Sequence, residues 1–120
     1  MNWLAVLSGS VVAFGLGMVW FGPLLFGKRW SAGSHNIVAP ASPPLAAMAA
    51  QLAGTLLMAL AIGVTAATDA LILAITVILA IAALQLGSSL FGQMSGAAAV
   101  IDASYVLAMG VVMIVMQGLL

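Results

Sequence analysis

Only four side chains in this chain of 120 residues carry a formal charge: Lys28, Arg29, Asp69 and Asp102. A soluble domain is about 25% charged, whereas this sequence is 3% charged and 66% hydrophobic. A surface made from it cannot be kept wet and has to face lipid, so the bilayer is the first partner the sequence implies. Neither charge sign is in excess, which gives no reason to expect a nucleic-acid partner. The absence of cysteine excludes disulfides, thiolate metal sites and cysteine nucleophiles. A single histidine, His35, cannot build a multi-histidine metal site or a bis-histidine haem site, so no cofactor is expected.

A spanning helix needs about 20 apolar residues at 1.5 Å rise each. By that measure residues 1–120 form one all-α transmembrane domain, an integral membrane four-helix antiparallel bundle. Its spans lie at about 2–21, 44–66, 69–91 and 97–117, with an interfacial segment and loop over 22–43. The start, Met-Asn-Trp-Leu, lacks the basic region of a secretory signal, so the first span reads as retained.

The stretch from Trp20 to Trp30 sets the depth of the rest. It holds the only basic side chains, Lys28 and Arg29, flanked by Trp20, Phe21, Phe26 and Trp30. Trp rings settle at the hydrocarbon–water boundary and Lys and Arg snorkel to it, so Trp20, Lys28, Arg29 and Trp30 read as an interface anchor. Gly22-Pro23 breaks the first helix, and residues 24–30 fit a short interfacial helix. Taking the amino-terminal side of the bundle as side A, the Lys28–Arg29 loop and the link between spans three and four lie on side B. Basic residues collect in cytoplasmic loops, so side B is expected in the cytoplasm of a cell membrane and both termini outside.

Local signals place the helix ends. Ser42-Pro43-Pro44 offers a capping hydroxyl and first-turn prolines to span two, and Thr68-Asp69 offers a cap and a favourable negative charge to span three. Ala5, Gly9, Ala13 and Gly17 recur every fourth residue of span one. Such a stripe serves either a homodimer seam or close packing inside the chain's own bundle, and the second use is favoured. Gly-x-x-Leu-Phe-Gly occurs at Gly22–Gly27 and again at Gly87–Gly92, an echo that parallel repeats or chance would each produce.

The strong polar groups within the spans lie at one depth. Gln51 and Gln85 sit roughly 10 Å and Asp102 roughly 8 Å from side B. Tyr105 shares the face of Asp102 at i+3, and Thr55 that of Gln51 at i+4. Ser88, Ser89 and Ser104 fall in the same layer. Such groups facing hydrocarbon would forfeit hydrogen bonds, so Gln51, Gln85, Asp102 and Tyr105 are expected to converge as a polar site. A titrating ligand site and plain interhelical hydrogen bonding both fit, and the second is favoured. A basic side chain, Lys28 or Arg29, is expected to dip to Asp102. Met109, Met113 and Met116 continue the Asp102–Tyr105 stripe and read as packed core.

Asn2-Trp3-Leu4-Ala5, Leu24-Leu25-Phe26-Gly27-Lys28-Arg29-Trp30 and Leu90-Phe91-Gly92 followed by Ile101-Asp102-Ala103-Ser104-Tyr105 together resemble the bacterial membrane proteins catalogued as domain of unknown function 1761. The resemblance covers the whole chain and implies four spans. It brings no established activity. The chain departs from it at Gln93, where a basic residue would be expected, and at Asp102, where an amide would be.

No Ser–His–acid set, His-Glu metal motif or phosphate-binding glycine loop is present, so catalysis is not expected. The sequence favours a non-catalytic role exerted by helix packing in a homo-oligomer or larger membrane complex. The alternative is a small transporter or ligand-binding membrane protein built around Asp102. Small multidrug exporters match the size and span number, but they use an embedded Glu in the first span and this chain has no Glu.

Overall fold

The computed structural model describes residues 1–38 and 42–120. Among them are five α-helices: α1 (Trp3–Trp20), α2 (Gly27–Gly33), α3 (Leu45–Ala67), α4 (Leu71–Phe91) and α5 (Gly96–Leu119). Residues 39–41, inside the interfacial segment and loop expected over 22–43, lie outside the described residues. The four long helices have 18, 23, 21 and 24 residues and are apolar enough to cross a membrane. At 1.5 Å per residue they run roughly 27 to 36 Å, the thickness of a hydrocarbon core. The long dimension of the molecule is 43 Å, which matches a bilayer with its headgroups.

The described residues thus form four long helices, matching the four expected spans, and one short one. The short one starts three residues later than expected and ends at Gly33. Pro23 stops α1, and the chain folds back through Phe26 N–H to the Trp20 carbonyl at 3.1 Å and Gly27 N–H to the Gly22 carbonyl at 2.9 Å. A Cβ on Gly27 would stand 2.6 Å from the Gly22 oxygen, so only glycine admits this turn. The Gly-x-x-Leu-Phe-Gly echo dissolves for the same reason. Its first copy is this turn, whereas its second, with no proline, is the last stretch of α4.

Two expected caps are corrected. The N-cap of α3 is Pro44, with no side-chain capping bond. Thr68 ends α3 instead of starting α4, because its hydroxyl turns back to the Val64 carbonyl at 3.0 Å. Asp69, in the left-handed region at φ 51°, makes the corner, and Ala70 opens α4. The side-chain caps are Asn2, accepting from Ala5 N–H, and Ser95, accepting from Ala98 N–H, each at 3.1 Å.

The long helices form an antiparallel ring, α1 beside α3, α3 beside α4, α4 beside α5 and α5 beside α1, with α2 laid on α5. The stripe on α1 is consumed inside the chain. Gly9 packs on Met113, Ala13 is fully buried, and Gly17 lies under the Tyr105 ring. Small residues let these backbones close up, as membrane helices require. Met58, Ile62, Ile78, Val106, Met109 and Met113 fill the centre, so most of the α5 methionine stripe is packed core, with Met116 half-buried. The outside is apolar: Phe91 is 92% exposed and Leu24 87%. Surface of that kind belongs in lipid.

One stretch departs from the ring. Every residue from Ser42 to Gly54 is exposed, so the side-B half of α3 stands away from its neighbours. A cavity opens behind it.

Candidate functional site

The side-B cavity has a volume of about 640 Å³. Gln51 lines it from α3, Gln85 from α4, and Asp102 and Tyr105 from α5, so one space collects all four polar groups expected to converge. The apolar wall comes from Phe14, Gly17 and Met18 of α1, Phe21 just beyond it, Met48 of α3, and Val106 and Met109 of α5. Trp30 closes the α2 side.

The folded-back turn after α1 explains how Trp30 arrives there. It aims α2 across α5, and two bonds fix that course: Ser95 N–H to the Gly33 carbonyl at 2.9 Å, and the His35 Nε2 to the Gly92 carbonyl at 2.8 Å. His35 is thus an exposed loop residue with a partner, tying the α2–α3 loop to the α4–α5 turn. Trp30 Nε1–H then donates to Asp102 Oδ1 at 2.8 Å. The other carboxylate oxygen accepts from Ser89 Oγ at 2.8 Å, and Gln85 Nε2 donates to Ser89 Oγ at 3.3 Å. Three helices therefore meet on one half-buried carboxylate.

The expected ion pair is corrected by this geometry. Lys28 and Arg29 are exposed, and among the described residues no basic side chain bridges Asp102. The first turn of α2 carries both of them outward while Trp30, two positions past Lys28, turns in. The tryptophans of the expected anchor make specific contacts to α5. Trp30 is spent on Asp102, and Trp20 Nε1–H donates to the Ile101 carbonyl at 3.2 Å. Both indoles bind α5, while Trp3, 59% exposed, stands at the opposite end of α1.

Tyr105 reaches across instead of joining the carboxylate chain. Its hydroxyl donates to the Ala13 carbonyl at 2.7 Å, and its ring meets Phe21 at 5.3 Å in an edge-on contact. Phe21 in turn meets Trp30 at 5.1 Å. The result is an aromatic corner beside Asp102. Of the serines at this depth, only Ser89 joins the network. Ser104 bonds back to the Ile101 carbonyl and Thr55 to the Gln51 carbonyl, each satisfied within its own helix.

Sequence reasoning missed the roles of Trp30, Ser89 and the aromatic wall. Ser89 sits four residues after Gln85, a helix-face spacing that could have flagged it. Nothing local marks Trp30, whose position depends on the fold-back at Gly27. A second cavity of about 200 Å³ lies at the side-A end, where Asp69 and Gln117 are among its lining residues.

Four long apolar helices packed around an apolar core, with a polar cavity at one end, fit a small membrane protein. The chain belongs to the family described as protein of unknown function DUF1761, whose model matches residues 4–118. No curated protein matches the chain, and no solved structure does.

Proposed function

We propose that this is a non-catalytic membrane protein that binds a small amphiphilic molecule in the side-B cavity, entered past the first half of α3. The observation that carries this reading is the meeting of Gln51, Gln85, Asp102 and Tyr105 in one space of about 640 Å³. Ligand pockets run from about 300 to 1,000 Å³, with mostly apolar walls and a few convergent polar groups. Hydrogen bonding between helices needs no such volume. Transport would add movement of that ligand across the bilayer, with Asp102 as the group it exchanges against.

A second reading has its own support. The exposed run from Ser42 to Gly54 leaves half of α3 unpartnered, which suits packing against another copy or a membrane complex. One experiment separates the two. The protein is purified in mild detergent and its intact mass measured with whatever co-purifies. A bound small molecule, lost in the cavity-filling variant Ala47→Trp at a lining residue of α3, supports the ligand reading. A second protein with no small molecule supports packing and overturns it. In the cell the protein is placed in the cytoplasmic membrane with side B inward, on the strength of Lys28 and Arg29.

A further inference from the structure

Among the described residues, Asp102 is the only formal charge that lines the side-B cavity. Lys28 and Arg29 are exposed and are not among its lining residues, Asp69 lines the cavity at the other end, and His35 is held on the Gly92 carbonyl. Its other polar groups, Gln51, Gln85 and Tyr105, are neutral side chains. The two donors on Asp102, Trp30 and Ser89, are neutral as well, so they orient the carboxylate without cancelling its charge. A carboxylate has about four lone-pair sites, and two of them are taken.

That leaves a negative site against mostly apolar walls, where charges are felt more strongly than in water. An anionic head would meet repulsion there. A cation would gain attraction from Asp102 and from the aromatic rings of Phe21, Trp30 and Tyr105, which pack on one another in the cavity lining. The thioethers of Met18, Met48 and Met109 give the apolar remainder an adaptable lining. We infer that the cavity selects apolar molecules carrying a positive charge, with Asp102 as the group that recognises the charge. This inference rests on the binding role proposed above and specifies its ligand class.

The test uses two probes of like shape and opposite charge, tetraphenylphosphonium and tetraphenylborate. The full chain is placed in phosphatidylcholine nanodiscs, and binding is measured by equilibrium dialysis against empty discs. The expected result is saturable uptake of the cation, abolished in Ala47→Trp, with no saturable uptake of the anion. Asp102→Asn should weaken cation binding by about tenfold or more, the equivalent of one lost charge contact. The Asn side chain still accepts from Trp30, so this variant should fold, and Asp102→Glu should retain cation binding. Equal binding of both ions, or an unchanged affinity in Asp102→Asn, overturns the charge selection. If Ala47→Trp still abolishes that binding, the cavity reading survives on its own. No saturable binding of either ion also overturns the inference, and the mass measurement on co-purified material then decides the cavity reading separately.

Discussion

Trp30 and Asp102 lie 72 residues apart in sequence, and the indole N–H of one meets the carboxylate of the other at 2.8 Å. This contact joins the turn after the first span to the start of the last. It also replaces the ion pair that the charge inventory suggests. A membrane carboxylate needs partners, and neutral donors provide them here without bringing a second charge out of water.

The first prediction follows from that exchange. Trp30→Phe keeps the ring against Phe21 but removes the donor, leaving Asp102 with Ser89 alone. The cost should be about 1–3 kcal/mol, the usual penalty for stranding a buried polar partner. Thermal unfolding in detergent should show it as a lowered Tm. Lys28→Ala and Arg29→Ala, by contrast, should change stability by less than about 0.5 kcal/mol, and each should be additive with Asp102→Asn. Measurable coupling between Asp102 and either basic residue would revive the ion pair.

Two glycines on α1 make the second prediction. A Cβ on Gly17 would lie 2.7 Å from the Tyr105 hydroxyl oxygen, which is fixed on the Ala13 carbonyl. Gly17→Ala should therefore push Tyr105 off its bond and destabilise by about 1–3 kcal/mol. A Cβ on Gly15 would meet nothing within 4 Å. Gly15→Ala should be neutral or stabilise by up to about 1 kcal/mol, because alanine is the better helix former. Equal effects of the two substitutions would mean that Gly17 does not carry the α1–α5 contact.

The contrast between these positions shows what could be read from the sequence. Apolar run length fixed the four long helices to within two residues at each end, since lipid leaves no other way to satisfy a spanning backbone. Depth was readable as well, because rise per residue is constant, and so Gln51, Gln85, Asp102 and Tyr105 could be assigned to one layer. Rotation and partner choice were not. Whether Trp30 faces headgroups or Asp102 depends on a turn made possible by Gly27, and no local pattern encodes that outcome. The Thr68 hydroxyl serves the helix behind it because Asp69 and Ala70 take the corner, a choice decided by the α3–α4 connection.

A third prediction concerns the contact between His35 and the α4–α5 turn. His35 Nε2 is 2.8 Å from the Gly92 carbonyl, and with the Gly33–Ser95 bond it fixes α2 beside α5. His35→Ala should loosen this loop while leaving the spans in place, at a cost of about 0.5–1.5 kcal/mol. Hydrogen exchange should rise at residues 27–38 and remain unchanged in the central turns of α1 and α5. Unchanged protection over 27–38 would show that Ser95 alone suffices.

The last prediction is orientation. Four spans put both termini on side A, and the chain has just two basic side chains to bias its insertion. Both stand exposed in the first turn of α2, in the link between the first two spans. Short loops rich in Lys and Arg stay cytoplasmic, while acidic residues contribute little, so Asp69 on side A should not oppose them. A reporter active only in the cytoplasm should be silent when fused after Leu120, and one active only outside should work there. With a bias this small, removing it should be visible. The double variant Lys28→Ala with Arg29→Ala should insert in both orientations and give both reporters partial activity. Adding Lys on side A, at Asp69, to that variant should then turn the chain over. Cytoplasmic activity at Leu120 in the unaltered protein would reverse the orientation, and the ligand cavity would then open to the outer face.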